Sequence, residues 1–392
     1  MLKHRLKTGA LIALLASCKI ANKSTSHVTD SWDQKNNPNN FDPRFEYRFA
    51  QLPTSGKLAH EPWSDSYWQE NLGGIGVRWV SGRPTQDVWS YDPPSPPNLD
   101  AVKKMSLTDL MFLSPAEKYD IYMGRFDYPT VDYAKRRNHK VDAQGKPVPD
   151  WKGACPAWTV SALYFDEPKE VMPQNEQGVF IPFGSSDIKA LLVTARDLTG
   201  TKHPRYAGYR CDVIDPKFNN VSSKNPCNGM NAGSFHTLLT NLVRPNKHGF
   251  IIDRDPGQEI WNQPVYSYQA QVISENQGAS PGAAADTQKE IHIKSDVTYT
   301  LELKPSWFSH LVKKNNLTKT ETYLYRLELD AQGKILGGMW ESPTRPDFAW
   351  MQDAPDLSGE VTEMWYDQNT KIDVNHISLD GIQELYLKSI KQ

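Results

Sequence analysis

Pro156 follows Cys155 directly, and that pair fixes where a helix can begin. Proline has no N–H and a locked φ, so a helix tolerates it in the first turn and not further inside. The residues behind it, Ala157-Trp158-Thr159-Val160-Ser161-Ala162-Leu163, are small or apolar and carry no charge. The stretch WKGACPAWTVSAL at residues 151–163 therefore predicts a buried helix with Cys155 at its N-terminus. There, unpaired N–H groups and the helix dipole favour a thiolate over a thiol. Two readings of Cys155 stay open on this stretch alone: a nucleophile, or a small core side chain, since free cysteine is among the most buried residue types.

Composition narrows the function classes. A chain of 392 residues builds one large domain or two ordinary ones and buries a sizeable core. Its hydrophobic fraction of 38% and mean hydropathy of −0.62 exclude a protein with many membrane spans. The 44 basic and 46 acidic residues nearly cancel, and no basic run is long enough to track a phosphate backbone, so nucleic acid is not expected as a partner. Twelve Trp and seventeen Tyr fit an aromatic core or a groove for an extended chain.

The N-terminus predicts export. Lys3, His4, Arg5 and Lys7 precede ALIALLA at residues 10–16, an apolar stretch too short to span a bilayer. It ends in Leu15-Ala16-Ser17-Cys18, which is similar to the lipobox of bacterial lipoproteins and implies lipid on Cys18. The expected location is the bacterial outer membrane or cell surface, with a periplasmic or secreted protein as the alternative. From this follows a layout of signal peptide over 1–17, flexible tether over 18–50, catalytic core over 51–280 and a β-rich region over 281–392 packed on the core. With Cys18 lipidated, three cysteines remain. Cys211 and Cys227 flank a loop rich in Asn, Ser and Lys, and a disulfide closing it would contribute about 3 kcal/mol. Cys155 is then unpaired, which marks it as reactive in an oxidising compartment. No close C-x-x-C pair supports a zinc site from Cys155, Cys211, Cys227 and His236, and no metal site is expected.

Further local signals follow in chain order. The glycines at 73–76 read as a turn rather than a phosphate loop. Ser114-Pro115-Ala116-Glu117 is a capping box that opens a helix stopping at Gly124. Residues 135–140, KRRNHK, read as a solvated charge run with no site role. The β-formers at 233–243 and 249–255, with Pro245 to Gly249 between, predict a β-hairpin. In that hairpin His236 lies opposite Asp253 or Asp255, completing a Cys155, His236 and carboxylate triad. Residues 274–288 read as a long loop, 322–329 and 335–340 as a hairpin, and 379–390 as a short amphipathic segment on the globule.

Ile260-Trp261-Asn262-Gln263-Pro264-Val265 matches, with one conservative change, the recognition peptide of the oomycete transglutaminase elicitors. PWSDSYW at Pro62, LSPAEKYDIYMG at Leu113, WKGACPAW at Trp151, GSFH at Gly233, and GGMW and PDFAW near the C-terminus agree in order. The chain thus resembles that family and its bacterial relatives. The resemblance implies an α+β fold with a papain-like or transglutaminase-like core, in which a helix bearing the cysteine packs on an antiparallel sheet bearing His and Asp.

It also implies a cysteine acyltransferase, with Cys155 on the nucleophile, His236 on the G-x-F-H histidine and Asp253 on the following carboxylate. A thioester formed on a protein glutamine would pass to a lysine amine or to water. Protein substrates carrying Gln and Lys, and a membrane reached through the N-terminal lipid, are the expected partners. The oxyanion donors would be the Cys155 N–H and an indole, Trp151 or Trp158. No cofactor is required; calcium fits the wider class, but no EF-hand loop is present. Pro156-Ala157 departs from the His-Gly or Asn-Gly of the family and removes a backbone donor beside the sulfur. The alternatives are a papain-like cysteine peptidase or deamidase, and a surface-binding lipoprotein with a degenerate site.

Overall fold

The structure is a computed structural model that describes residues 32–80, 83–84, 95–210, 229–257, 259–312, 317–365 and 371–391. The signal peptide, Cys18, Cys211 and Cys227 lie outside the described residues. Eight helices are present among those described: α1 (Leu99–Val102), α2 (Leu107–Phe112), α3 (Pro115–Tyr122), α4 (Pro129–Arg137), α5 (Cys155–Tyr164), α6 (Ser185–Thr199), α7 (Ala232–Leu242) and α8 (Leu379–Ile390).

Twelve strands accompany them. Before α5 come β1 (Ser55–Lys57), β2 (Trp79–Val80) and β3 (Arg83–Pro84); after it come β4 (Arg205–Gly208), β5 (Ile251–Asp253), β6 (Asn262–Gln277) and β7 (Lys289–Thr300). The C-terminal third adds β8 (Thr318–Leu329), β9 (Ile335–Trp340), β10 (Phe348–Met351), β11 (Glu360–Trp365) and β12 (Lys371–Ser378).

One antiparallel sheet of eight strands organises the molecule, in the order β4-β10-β5-β6-β7-β8-β9 with β1 on β6. The 16-residue β6 is its hub, pairing β5 at its start, β1 in its middle and β7 along most of its length. Strands from either side of residue 280 thus share this sheet, and the loop after β6 joins two neighbours in it. The segment 32–50, read as tether, lies against the globule: Phe41 is buried, and the Asn36 side chain accepts the Asn231 N–H at 2.7 Å.

Two cores follow. One gathers α1 to α6 and α8 around Trp63, Trp158, Phe183 and Leu191; the other lies between α7 and the sheet face of Tyr268, Val297, Tyr323 and Leu327. Burying a large apolar side chain contributes roughly 1.5–3 kcal/mol, so each core is a substantial reserve. The first contains an ion pair: Lys118 Nζ on α3 meets Asp187 Oδ2 on α6 at 2.7 Å, both fully enclosed. Asp187 also accepts the Trp79 indole N–H at 2.8 Å and the Gly184 N–H at 2.7 Å.

The expected helix at 115–122 forms with its Ser114–Glu117 capping box, β8 and β9 form the expected hairpin, and the C-terminal segment is α8. Two secondary-structure expectations change. β6 runs on to Gln277, into the stretch read as loop. The predicted hairpin at 233–255 is instead helix α7 followed by the short strand β5. Phe235, Leu238, Leu239 and Leu242 repeat at the helical period and are all buried, and Asn231 caps the start through Gly233 and Ser234 N–H groups. That periodicity overrides the β-propensity of the threonines. Gly233 is required here, because a Cβ would lie 2.4 Å from the Gly337 carbonyl of β9.

Candidate active site around Cys155

Cys155 is the first residue of α5, as the Cys-Pro pair predicts. No side chain caps this end. The Ala154 carbonyl accepts the N–H groups of Ala157 and Trp158, each at 2.9 Å, while the Ala154 N–H donates to Tyr67 O. Gly153 permits that approach, since a Cβ there would sit 2.5 Å from the same Tyr67 carbonyl. The Trp158 indole donates to Trp63 O at 3.2 Å and the Trp63 indole to Phe165 O at 3.0 Å, so the aromatic segment at 62–68 clamps both ends of α5.

The sulfur faces the start of β6. Cys155 Sγ donates to Asn262 O at 3.5 Å and lies 3.9 Å from Glu302 Oε1. The Asn262 side chain also reaches the sulfur, and its Oδ1 accepts the Trp350 indole N–H at 2.7 Å. Gln263 Nε2 donates to both oxygens of Glu302, at 2.9 Å each, and Gln263 Oε1 is buried without a partner. Glu302 stands two residues past β7, on a segment pinned by Leu301 N–H to Leu317 O at 2.7 Å and Leu303 N–H to Asp65 O at 3.0 Å. Trp261 meets the Tyr67 ring edge-on at 6.2 Å. The residues of the IWNQPV motif therefore frame the thiol.

The thiol is not the ionised group that its place on the helix suggested. Burial, and then the neighbouring Glu302 carboxylate, push Cys155 well above the usual thiol range. Burial likewise raises Glu302, against the two bonds from Gln263. Asp253 lies directly opposite Asn262 in the β5–β6 register. One of its oxygens accepts the Trp261 N–H at 2.9 Å and Oδ2 is buried without a partner. Burial pushes its carboxyl up to about 8. Asp255 is half-exposed and pairs with Arg254 at 2.9 Å.

His236 is elsewhere. On α7, its Nδ1 bonds the Tyr325 hydroxyl at 2.9 Å, its ring stacks on Phe49, and burial drives its pKa down to about 3. Neither Cys155 nor Asp253 is among its partners, so the structure brings Cys155 and Asp253 to one seam and seats His236 in the second core. Of the two indoles expected at an oxyanion, that of Trp158 is committed to Trp63, and Trp151 is half-buried in the turn ahead of the helix. The Cys155 N–H donates to no described group. Glu302 was not singled out from the sequence, and the only local sign of it is a carboxylate between Leu301 and Leu303 just after a strand. Among the described residues, no group of three or more His, Cys, Asp or Glu side chains is arranged to hold a metal ion. No described helix is long and apolar enough to cross a membrane.

Comparison with known proteins agrees with this architecture. The crystal structure of the GP42 transglutaminase from Phytophthora sojae superposes with a TM-score of 0.64 at 21% identity, covering 92% of this chain and 99% of that one. No curated protein sequence matches significantly. The family model described as transglutaminase elicitor matches residues 33–371, most of the chain. The mixed helical and antiparallel fold is thus shared with a transglutaminase, and the protein belongs to the transglutaminase elicitor family.

Proposed function

We propose that this protein is a cysteine acyltransferase that forms a thioester on the side-chain carboxamide of protein glutamines, with Cys155 as nucleophile and Glu302 as the proton-transfer group. The observation that carries the reading is the Glu302 carboxylate, 3.9 Å from Sγ and held by Gln263. As Sγ attacks the carboxamide carbon, its proton passes to Glu302 and from there to the departing nitrogen, which leaves as ammonia. A lysine amine then attacks the thioester, gives its proton to Glu302, and the expelled thiolate is reprotonated, leaving an isopeptide bond. Water in place of the amine gives glutamate. The Cys155 N–H and the Asn262 carboxamide are the donors nearest the developing oxyanion, in place of the N–H that Pro156 lacks. Asp253 acts as a positioning residue through the Trp261 N–H.

In this reading Glu302 takes the role that the sequence assigned to His236. The test is incorporation of a fluorescent primary amine into a glutamine-rich acceptor protein, with Cys155→Ala, Glu302→Gln and His236→Gln compared. Loss with the first two and retention with the third support it; retention in Cys155→Ala overturns it. Ammonia release without incorporation favours a deamidase, and inactivity throughout favours a binding protein, the reading to which the 4% exposure of Cys155 lends weight. Export and lipidation at Cys18 rest on the first 18 residues, and fatty-acid labelling that persists in Cys18→Ser would refute the lipidation.

A further inference from the structure

Beside the second core a pocket of about 240 Å³ opens to the surface, lined by Phe49, Leu52, Thr54, His236, Val272 and Ile293, with Ala270 at its side. Its origin is local. β1 pairs β6 only at residues 267–269, and Thr54 O accepts the Ala270 N–H at 2.7 Å. Pro53 comes next, held by its carbonyl to the Tyr268 hydroxyl at 2.9 Å, and proline cannot extend the ladder. The chain turns off the sheet there. Ala270 and Val272 share a strand face, and Val272 lies opposite Ile293, so the space left behind is walled by apolar side chains.

One wall is polar. His236 is 2% exposed, its Nδ1 is taken by Tyr325, and no described group bonds Nε2. His236 lines this pocket with its Nδ1 already taken, so a ligand that bonds Nε2 gains a hydrogen bond that the protein itself leaves unmade. We propose that this cavity is a binding site for a small neutral amphipath: an apolar body of about ten non-hydrogen atoms with one hydrogen-bonding group directed at His236 Nε2. The size follows by scaling from an apolar cavity of about 150 Å³ that holds benzene. Neutrality follows because the imidazole is uncharged near pH 7, its pKa held down to about 3 by burial, so a carboxylate finds no counter-charge.

The test uses the folded chain with 4-ethylphenol, ethylbenzene and hexanoate as probes, followed by the imidazole nitrogen signals of His236 in NMR. The expected result is a saturable shift with 4-ethylphenol, binding about fivefold tighter than ethylbenzene for one net hydrogen bond, and none with hexanoate. Ala270→Trp fills the cavity and should abolish 4-ethylphenol binding at an unchanged unfolding temperature. Absence of a saturable shift, equal affinity for ethylbenzene, or undiminished binding by a folded Ala270→Trp protein overturns the proposal. If Ala270→Trp does not fold, the three probes on the unaltered chain decide.

Discussion

Gln263 grips Glu302 by both carboxylate oxygens at 2.9 Å, and that grip sets the distance between Glu302 and the Cys155 thiol. Glu302→Gln removes the proton-transfer group and should lower kcat for amine incorporation roughly 10²- to 10⁴-fold. Gln263→Leu should cost less, because it loosens Glu302 without removing it. The pH–rate profile discriminates a carboxylate from an imidazole. Activity should rise with pH as Glu302 loses its proton, at a midpoint above the ordinary carboxylate range because burial raises that group. An unchanged rising limb in Glu302→Asp and Gln263→Leu would count against this assignment.

His236 should make the fold acid-sensitive. Its folded pKa, about 3, lies below the ordinary 6.5, so both states carry a neutral ring above pH 6.5. As pH falls below 6.5 the unfolded chain takes up a proton that the folded one refuses, and stability drops by about 1.4 kcal/mol per pH unit. Urea unfolding at pH 6.5 and pH 5 should lose about 2 kcal/mol more in the native chain than in His236→Gln.

Asp253 works in the opposite direction. Its folded pKa, about 8, is above the ordinary 3.8, so the stability of the protonated group is fully present below about 4 and is lost as pH climbs through 8. Asp253→Asn should flatten the stability curve over that window and raise the unfolding temperature at pH 8. An unfolding temperature that falls equally at pH 5 and pH 8 in this variant would contradict it.

Lys118→Met leaves the enclosed Asp187 carboxyl without its counter-charge, which should cost about 3–5 kcal/mol in chemical unfolding. The double variant Lys118→Met/Asp187→Leu should recover part of the loss, limited by the Trp79 and Gly184 donors that Asp187 also serves.

How much of this was legible in the sequence differs by residue. Cys155 could be placed because a proline beside it leaves one position in a helix, and Ser114 because a capping box is local chemistry. Asp253 could be placed on a strand by its β-branched neighbours Ile251 and Ile252. His236 was misplaced because Thr237, Thr240 and Val243 carry β-propensity, while the deciding apolar period depends on a sheet face that only tertiary packing supplies. Glu302 was invisible for a different reason. It lies 147 residues from Cys155 in sequence, and the β6–β7 pairing and the Leu317 and Asp65 carbonyls, which accept the Leu301 and Leu303 N–H groups, bring them together. Arg137 belongs to the same class: read as part of a solvated run, it bonds Asp197 at 2.7 Å and Glu70 at 3.1 Å.

The enclosure of Cys155 has a consequence for the lifetime of the protein. A thiolate on the surface is consumed by peroxide, by alkylating agents and by other thiols, and the higher rungs of that oxidation are irreversible. Cys155 in its resting form is protonated and buried against Glu302 and the start of β6, so it is slow in all of these reactions. Its reactivity is latent, available to a molecule that parts those residues and withheld from small oxidants that do not.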